Sequence, residues 1–95
     1  MARYAVIYED MREDTAAPDL LKDHAEHLKD LHSRGILLMW GQLKDSGGKG
    51  LLIFEAKSRE EVEGHVLKDP FITVHKCYAT YHIYEWLKAN GSTGS

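Results

Sequence analysis

Two stretches of this chain carry apolar side chains at both parities of a strand. In residues 3–9, Tyr4, Val6 and Tyr8 alternate with Ala5 and Ile7. In residues 36–43, Leu37, Met39 and Gly41 alternate with Ile36, Leu38 and Trp40. A strand with one wet face alternates apolar with polar residues. These do not, so both faces of the sheet they build are expected to be buried.

The remaining pattern sets what can cover that sheet. Residues 10–14 are charged and read as a loop. A helix opens between Asp14 and Pro18, with Asp14 or Thr15 as cap and Pro18 tolerated in the first turn. It ends near Gly35, after Arg34, which suits the negative helix end. Residues 36–43 read as a buried strand, residues 44–49 with Gly47 and Gly48 as a turn, and residues 50–56 as the next strand, giving an antiparallel hairpin. Ser58 with Glu61 matches a capping box opening a second helix, whose narrow apolar face is Val62 and Val66 and which Pro70 stops. Residues 76–86 form a long last strand. Residues 1–88 are expected to be a single domain and residues 89–95 a disordered tail.

The order is therefore βαββαβ: an α+β, ferredoxin-like arrangement in which two helices cover one face of a four-stranded antiparallel sheet. The second face is left for another subunit or a ligand. A homodimer with two sheets packed face to face is expected, and whether dimers stack further stays open.

Composition narrows the partners. Across 95 residues the formal net charge is −3, from twelve basic and fifteen acidic residues. That balance gives no electrostatic reason to expect nucleic acid, and no basic helix to hold an anionic membrane. The single cysteine, Cys77, lies in a strand-like run, where a small core residue is the expected role. The N-terminus has no signal-peptide pattern and the longest apolar run is too short to span a bilayer, so the expected location is the cytoplasm.

One ionisable residue interrupts an apolar face. Leu20, Leu21, His24, Leu28 and Leu31 fall within roughly a third of a helix circumference at about 100° per residue, with His24 near the centre. An imidazole there gives up solvation and needs a partner. It is either a satisfied core histidine or a working one. His24 and His27 are spaced i, i+3, but His-Ala-Glu-His is not the zincin motif and no cysteine or acidic cluster supplies further ligands, so no metal site is expected. His65, His75 and His82 show no spacing signal and read as surface or edge residues.

Asp69, in Lys68-Asp69-Pro70-Phe71, stands where the helix dipole disfavours a carboxylate. From position alone a turn-starting aspartate is the stronger reading. A carboxylate in that place can also orient an imidazole and raise its basicity. The aromatic residues Tyr4, Tyr8, Trp40, Phe71 and Tyr78 are core or interface residues by default, some able to line a pocket for a ring-shaped ligand.

Taken together, the sequence resembles the YciI-like (YCII-related) family over about residues 3–87. The resemblance rests on the Tyr-rich first strand, His24 followed by Leu28, Leu31 and Gly35, the run from Ile36 to Gly41, Phe54-Glu55 ahead of Ser58, Lys68-Asp69-Pro70-Phe71, and the closing Tyr84-Glu85-Trp86. The resemblance implies a dimeric α+β barrel with a His–Asp pair, His24 and Asp69, in a pocket beside the sheet. Tyr8, Trp40, Gly41, Pro70 and Phe71 are the expected substrate-binding residues. Activities in the family include dehydrochlorination of chlorinated hydroxyquinol-type compounds. The expectation is a small cofactor-independent enzyme of lyase or isomerase type acting on a compact cyclic or aromatic molecule. The alternative is a non-catalytic dimeric binding module with the same pocket.

Overall fold

The computed structural model describes residues 1–11, 18–72 and 77–87. The elements are β1 (Ala2–Met11), α1 (Pro18–Ser33), β2 (Leu37–Gln42), β3 (Gly50–Ala56), α2 (Arg59–Leu67) and β4 (Tyr78–Trp86). They make one four-stranded antiparallel sheet in the order β2-β3-β1-β4. This is the ferredoxin-like βαββαβ arrangement. The β2–β3 hairpin inserts β3 between the two strands that α1 connects. The helix cap expected at Asp14 or Thr15, the strand start at residue 76, His75 and the tail expected over residues 89–95 lie outside the described residues.

Local signals explain the helix ends. Gly35, at φ +75°, closes α1 in a Schellman motif: its N–H donates to His32 O (3.0 Å) and that of Ile36 to Leu31 O (3.0 Å). At α2, Ser58 Oγ accepts from Glu61 N at 3.2 Å, as a capping box requires. The return bond differs from the expected one. Glu61 Oε2 accepts from Lys57 N at 3.3 Å, one residue ahead of the cap.

The core lies between the helices and one sheet face. Tyr4, Val6 and Tyr8 of β1 pack with Leu52 and Phe54 of β3, Leu20, Leu28 and Leu31 of α1, and Val62 and Val66 of α2. Each such aliphatic burial contributes roughly 1.5–3 kcal/mol. Leu21, read as part of the apolar stripe, is instead 46% exposed at the rim of a cavity. Among the described residues, no helix is long and apolar enough to cross a membrane.

The strand expected to be buried over residues 36–43 departs from that reading. β2 is an edge strand, and its burial falls from Leu37 to exposed side chains beyond residue 38. A register shift between Leu37 and Met39 bulges Leu38 out of the ladder. Beyond it, Trp40 pairs with core-facing Leu52, while Met39 pairs with Ile53 and points to the other face. That second face is open in the single chain, with Met39 64% and Tyr84 57% exposed.

Topology gathers one set of chain ends. With every strand antiparallel to its neighbour, the C-terminal ends of β1, β2 and α2 lie at the same edge as the N-terminal ends of α1, β3 and β4. Tyr8, Trp40, Asp69, His24, Gly50 and Tyr78 all stand there.

Candidate active site

Asp69 follows the C-terminal cap of α2, where its N–H donates to Val66 O at 3.0 Å. Pro70 ends the helix, and Phe71 N donates back to Asp69 Oδ1 at 3.0 Å, closing an Asx turn. The turn reading of this residue is therefore correct as far as the backbone goes. The side chain does more. It is 0% exposed, and both of its oxygens are engaged. Oδ1 also meets His24 Nδ1 at 2.8 Å, and Oδ2 accepts the Tyr8 hydroxyl at 2.9 Å. Donors from β1, α1 and the turn itself thus offset the unfavourable helix end and the loss of water.

A carboxylate can only accept, so the contact assigns the proton to His24 Nδ1. Nε2 is then the lone-pair nitrogen, without a protein partner among the described residues. The imidazole plane is fixed by Phe71, whose ring lies parallel to it (interplanar angle 2°) with centroids 3.6 Å apart. Burial first, and then the Asp69 carboxylate, hold the Tyr8 phenol well above its ordinary pKa, so it remains a donor at neutral pH.

A cavity of about 460 Å³ opens over this cluster. Its size is that of a small-molecule site. Tyr8, His24, Trp40, Gly41 and Phe71 line it, as does Tyr78. Pro70, expected to bind substrate, is not among the lining residues. It is half-buried, and its part is to end α2 so that Asp69 faces inward. Met11, Leu21 and Gln42 also line the cavity without having been singled out as pocket residues. Gln42 shares the side of Trp40 by strand alternation, a signal present in the sequence. Met11 reaches the cavity after Asp10 takes φ +58°. Asp tolerates that left-handed conformation, and nothing in the sequence pattern announces it.

Two further histidines are held by backbone carbonyls. His27 Nε2 donates to His65 O at 3.0 Å, and His32 Nδ1 to Leu37 O at 2.8 Å. Among the described residues no group of three or more His, Cys, Asp or Glu side chains is placed to hold a metal ion. Cys77 is buried.

Fold and site define the class: a ferredoxin-like α+β protein with a hydrogen-bonded imidazole and carboxylate at the wall of an apolar cavity. Within that class, the chain belongs to the YCII-related domain family, whose model matches residues 2–87. Among solved structures it is similar to 5-chloro-2-hydroxyhydroquinone dehydrochlorinase (TftG) of Burkholderia phenoliruptrix, in complex with 2,5-dihydroxybenzoquinone. The TM-score is 0.64 at 24% identity, over 90% of this chain and 95% of that one. An antibiotic biosynthesis monooxygenase aligns with TM-score 0.56 at 13% identity, over 95% of this chain and all (100%) of that one. A protein of Arabidopsis thaliana aligns with TM-score 0.55 at 10% identity, over 97% and 99%. At these identities the likeness concerns the fold. No curated protein matches the chain.

Proposed function

We propose that the protein is a small enzyme of lyase or isomerase type that acts on a compact cyclic or aromatic molecule without a cofactor. His24 Nε2 takes a proton from the bound molecule, and Asp69 holds the ring tautomer and stabilises the imidazolium that forms. The observation that carries this reading is the 2.8 Å contact between His24 Nδ1 and a fully buried carboxylate, at the wall of a cavity that the same imidazole lines. In an elimination, the base removes a proton, the electron pair of the broken bond forms a new double bond, and chloride leaves with its own pair. The similarity to a dehydrochlorinase with a quinone bound supports a flat, oxygenated ring as the ligand.

We also propose that the protein works as a homodimer that packs the open sheet faces together. Met39, Tyr84 and Trp86 are exposed there, and burying such side chains is favourable.

The first test is chloride release from 5-chloro-2-hydroxyhydroquinone. The native protein is expected to turn it over, and His24→Ala to lower kcat by about 10²–10⁴-fold, the range for a lost general acid–base group. The circular dichroism of the variant is expected to be unchanged. Equal turnover by native protein and His24→Ala would reject the acid–base role.

A further inference from the structure

We propose that Tyr8 is a positioning residue: its phenol O–H holds Asp69 Oδ2 so that Oδ1 stays aimed at His24 Nδ1, and it moderates the pull of the carboxylate on the imidazole proton. The inference rests on the reading of His24 as the proton-moving group.

A ring on the cavity wall is most simply read as a surface for substrate. Tyr8 does line the cavity, but its hydroxyl is committed to Asp69 at 2.9 Å and the residue is 2% exposed. A ligand would therefore meet the ring and not the O–H. The phenol adds to the contacts that hold the aspartate side chain. The terminal torsion of that side chain is broad and soft. His24 Nδ1 and Phe71 N engage Oδ1, while Tyr8 fixes Oδ2. Tyr8 can do so rigidly, because it stands on β1, paired with Gly50 on one side and Tyr81 on the other.

The bond has an electronic consequence as well. A hydrogen bond donated to a carboxylate favours its charged form and spreads that charge over the donor. The oxygen facing His24 then stabilises an imidazolium less strongly than a carboxylate lacking the donor would. Among the described residues, the ionisable groups around the phenol are Asp69 after α2 and Tyr78 and Tyr81 of β4, with His24 of α1 across the carboxylate. Tyr81 donates to Glu63 Oε2 and Tyr78 to Gly48 O, so Tyr8 is the tyrosine bonded to Asp69.

The test is a nitrogen-15 NMR titration of the histidine rings in the ligand-free protein. Native His24 is expected to be the Nδ1–H tautomer when neutral. In Tyr8→Phe the His24 midpoint is expected to rise relative to the native protein, with a less pure tautomer, because a donor to the carboxylate is gone. Site-specific 3-fluorotyrosine at position 8 keeps the ring and strengthens the donor, so it is expected to move the midpoint down. A merely structural role would lower the melting temperature and leave His24 unmoved. An unchanged His24 midpoint and tautomer in both variants would overturn the proposal. Should Tyr8→Phe fail to fold, the fluorotyrosine protein decides alone. Neither readout needs substrate, so the outcome is independent of the turnover assay with His24→Ala. In that assay Tyr8→Phe is expected to lower kcat and leave KM unchanged.

Discussion

His65 keeps its Nε2 out of water without a hydrogen-bond partner among the described residues. Its ring lies nearly parallel to Phe54, with centroids 6.3 Å apart. Burial, followed by Arg34, Lys68 and His27, holds its pKa below the ordinary value, against an opposing effect of Glu61. The unfolded chain therefore binds this proton first, as the pH falls past about 6.5. The stability tied to neutral His65 is complete above that pH and is lost as the pH drops toward the folded-state value. His65→Phe removes both the orphaned nitrogen and the titration. It is expected to raise stability at neutral pH by about 1 kcal/mol and to flatten the acid limb. Urea unfolding midpoints across roughly pH 5–8 check this, and parallel curves for the two proteins would contradict it. From sequence His65 reads as a surface or edge residue, because a nine-residue helix with a two-valine face leaves its partners unspecified. His24 was legible for the opposite reason, since an imidazole between leucines at helical spacing is a purely local signal. The Tyr8–Asp69 bond spans 61 residues of sequence, and nothing local distinguishes that phenol from the core tyrosine at position 4.

At the scale of elements, the order βαββαβ follows from periodicity and turn residues that each act locally. The bulge at Leu38 does not, because it redistributes a nearly uniform apolar run between two faces without changing its composition. The hairpin loop between β2 and β3 sets the cavity rim in a similarly hidden way. Gly48 has φ +91°, and a Cβ built there would lie 2.6 Å from Met11 Cε. Gly47 has φ +78° with nothing within 4 Å of such an atom. Gly47→Ala is therefore expected to cost only the left-handed backbone penalty, about 1–2 kcal/mol. Gly48→Ala adds displacement of Met11, which lines the cavity, and is expected to be the more destabilising of the two. Combining it with Met11→Ala removes the contacts with Cε and Sδ, leaves only Met11 Cβ at 3.3 Å, and is expected to relieve most of the excess. Denaturant midpoints of the three proteins measure the difference. Equal losses for the two alanine variants would show that Met11 yields freely and does not constrain the rim.

For the whole molecule, two helices cannot cover two faces of one sheet. Residues of odd number on β1 pair with Tyr84 and Trp86 on β4 and with Leu51 and Ile53 on β3. Met39 continues the same face on β2. The sequence pattern that marked both faces as buried is thus met on one side by the helices, and the proposed second copy would meet it on the other. A stable pair of copies needs roughly 800 Å² buried on each, and a four-stranded face with exposed Met, Tyr and Trp side chains is suited to that. The cavity lies on the helix side, so charge placed on the open face leaves His24, Asp69 and Tyr8 undisturbed. Met39→Glu combined with Tyr84→Glu puts like charges on both flanks of the face, at positions already exposed in the single chain. The native protein is expected to sediment as a dimer and the double variant as a monomer whose circular dichroism is unchanged. A native monomer, or a double variant that still sediments with its parent, would remove the face-to-face assembly while leaving the proposed His24 chemistry intact. The two proposals are separable because the sheet itself stands between the interface and the site.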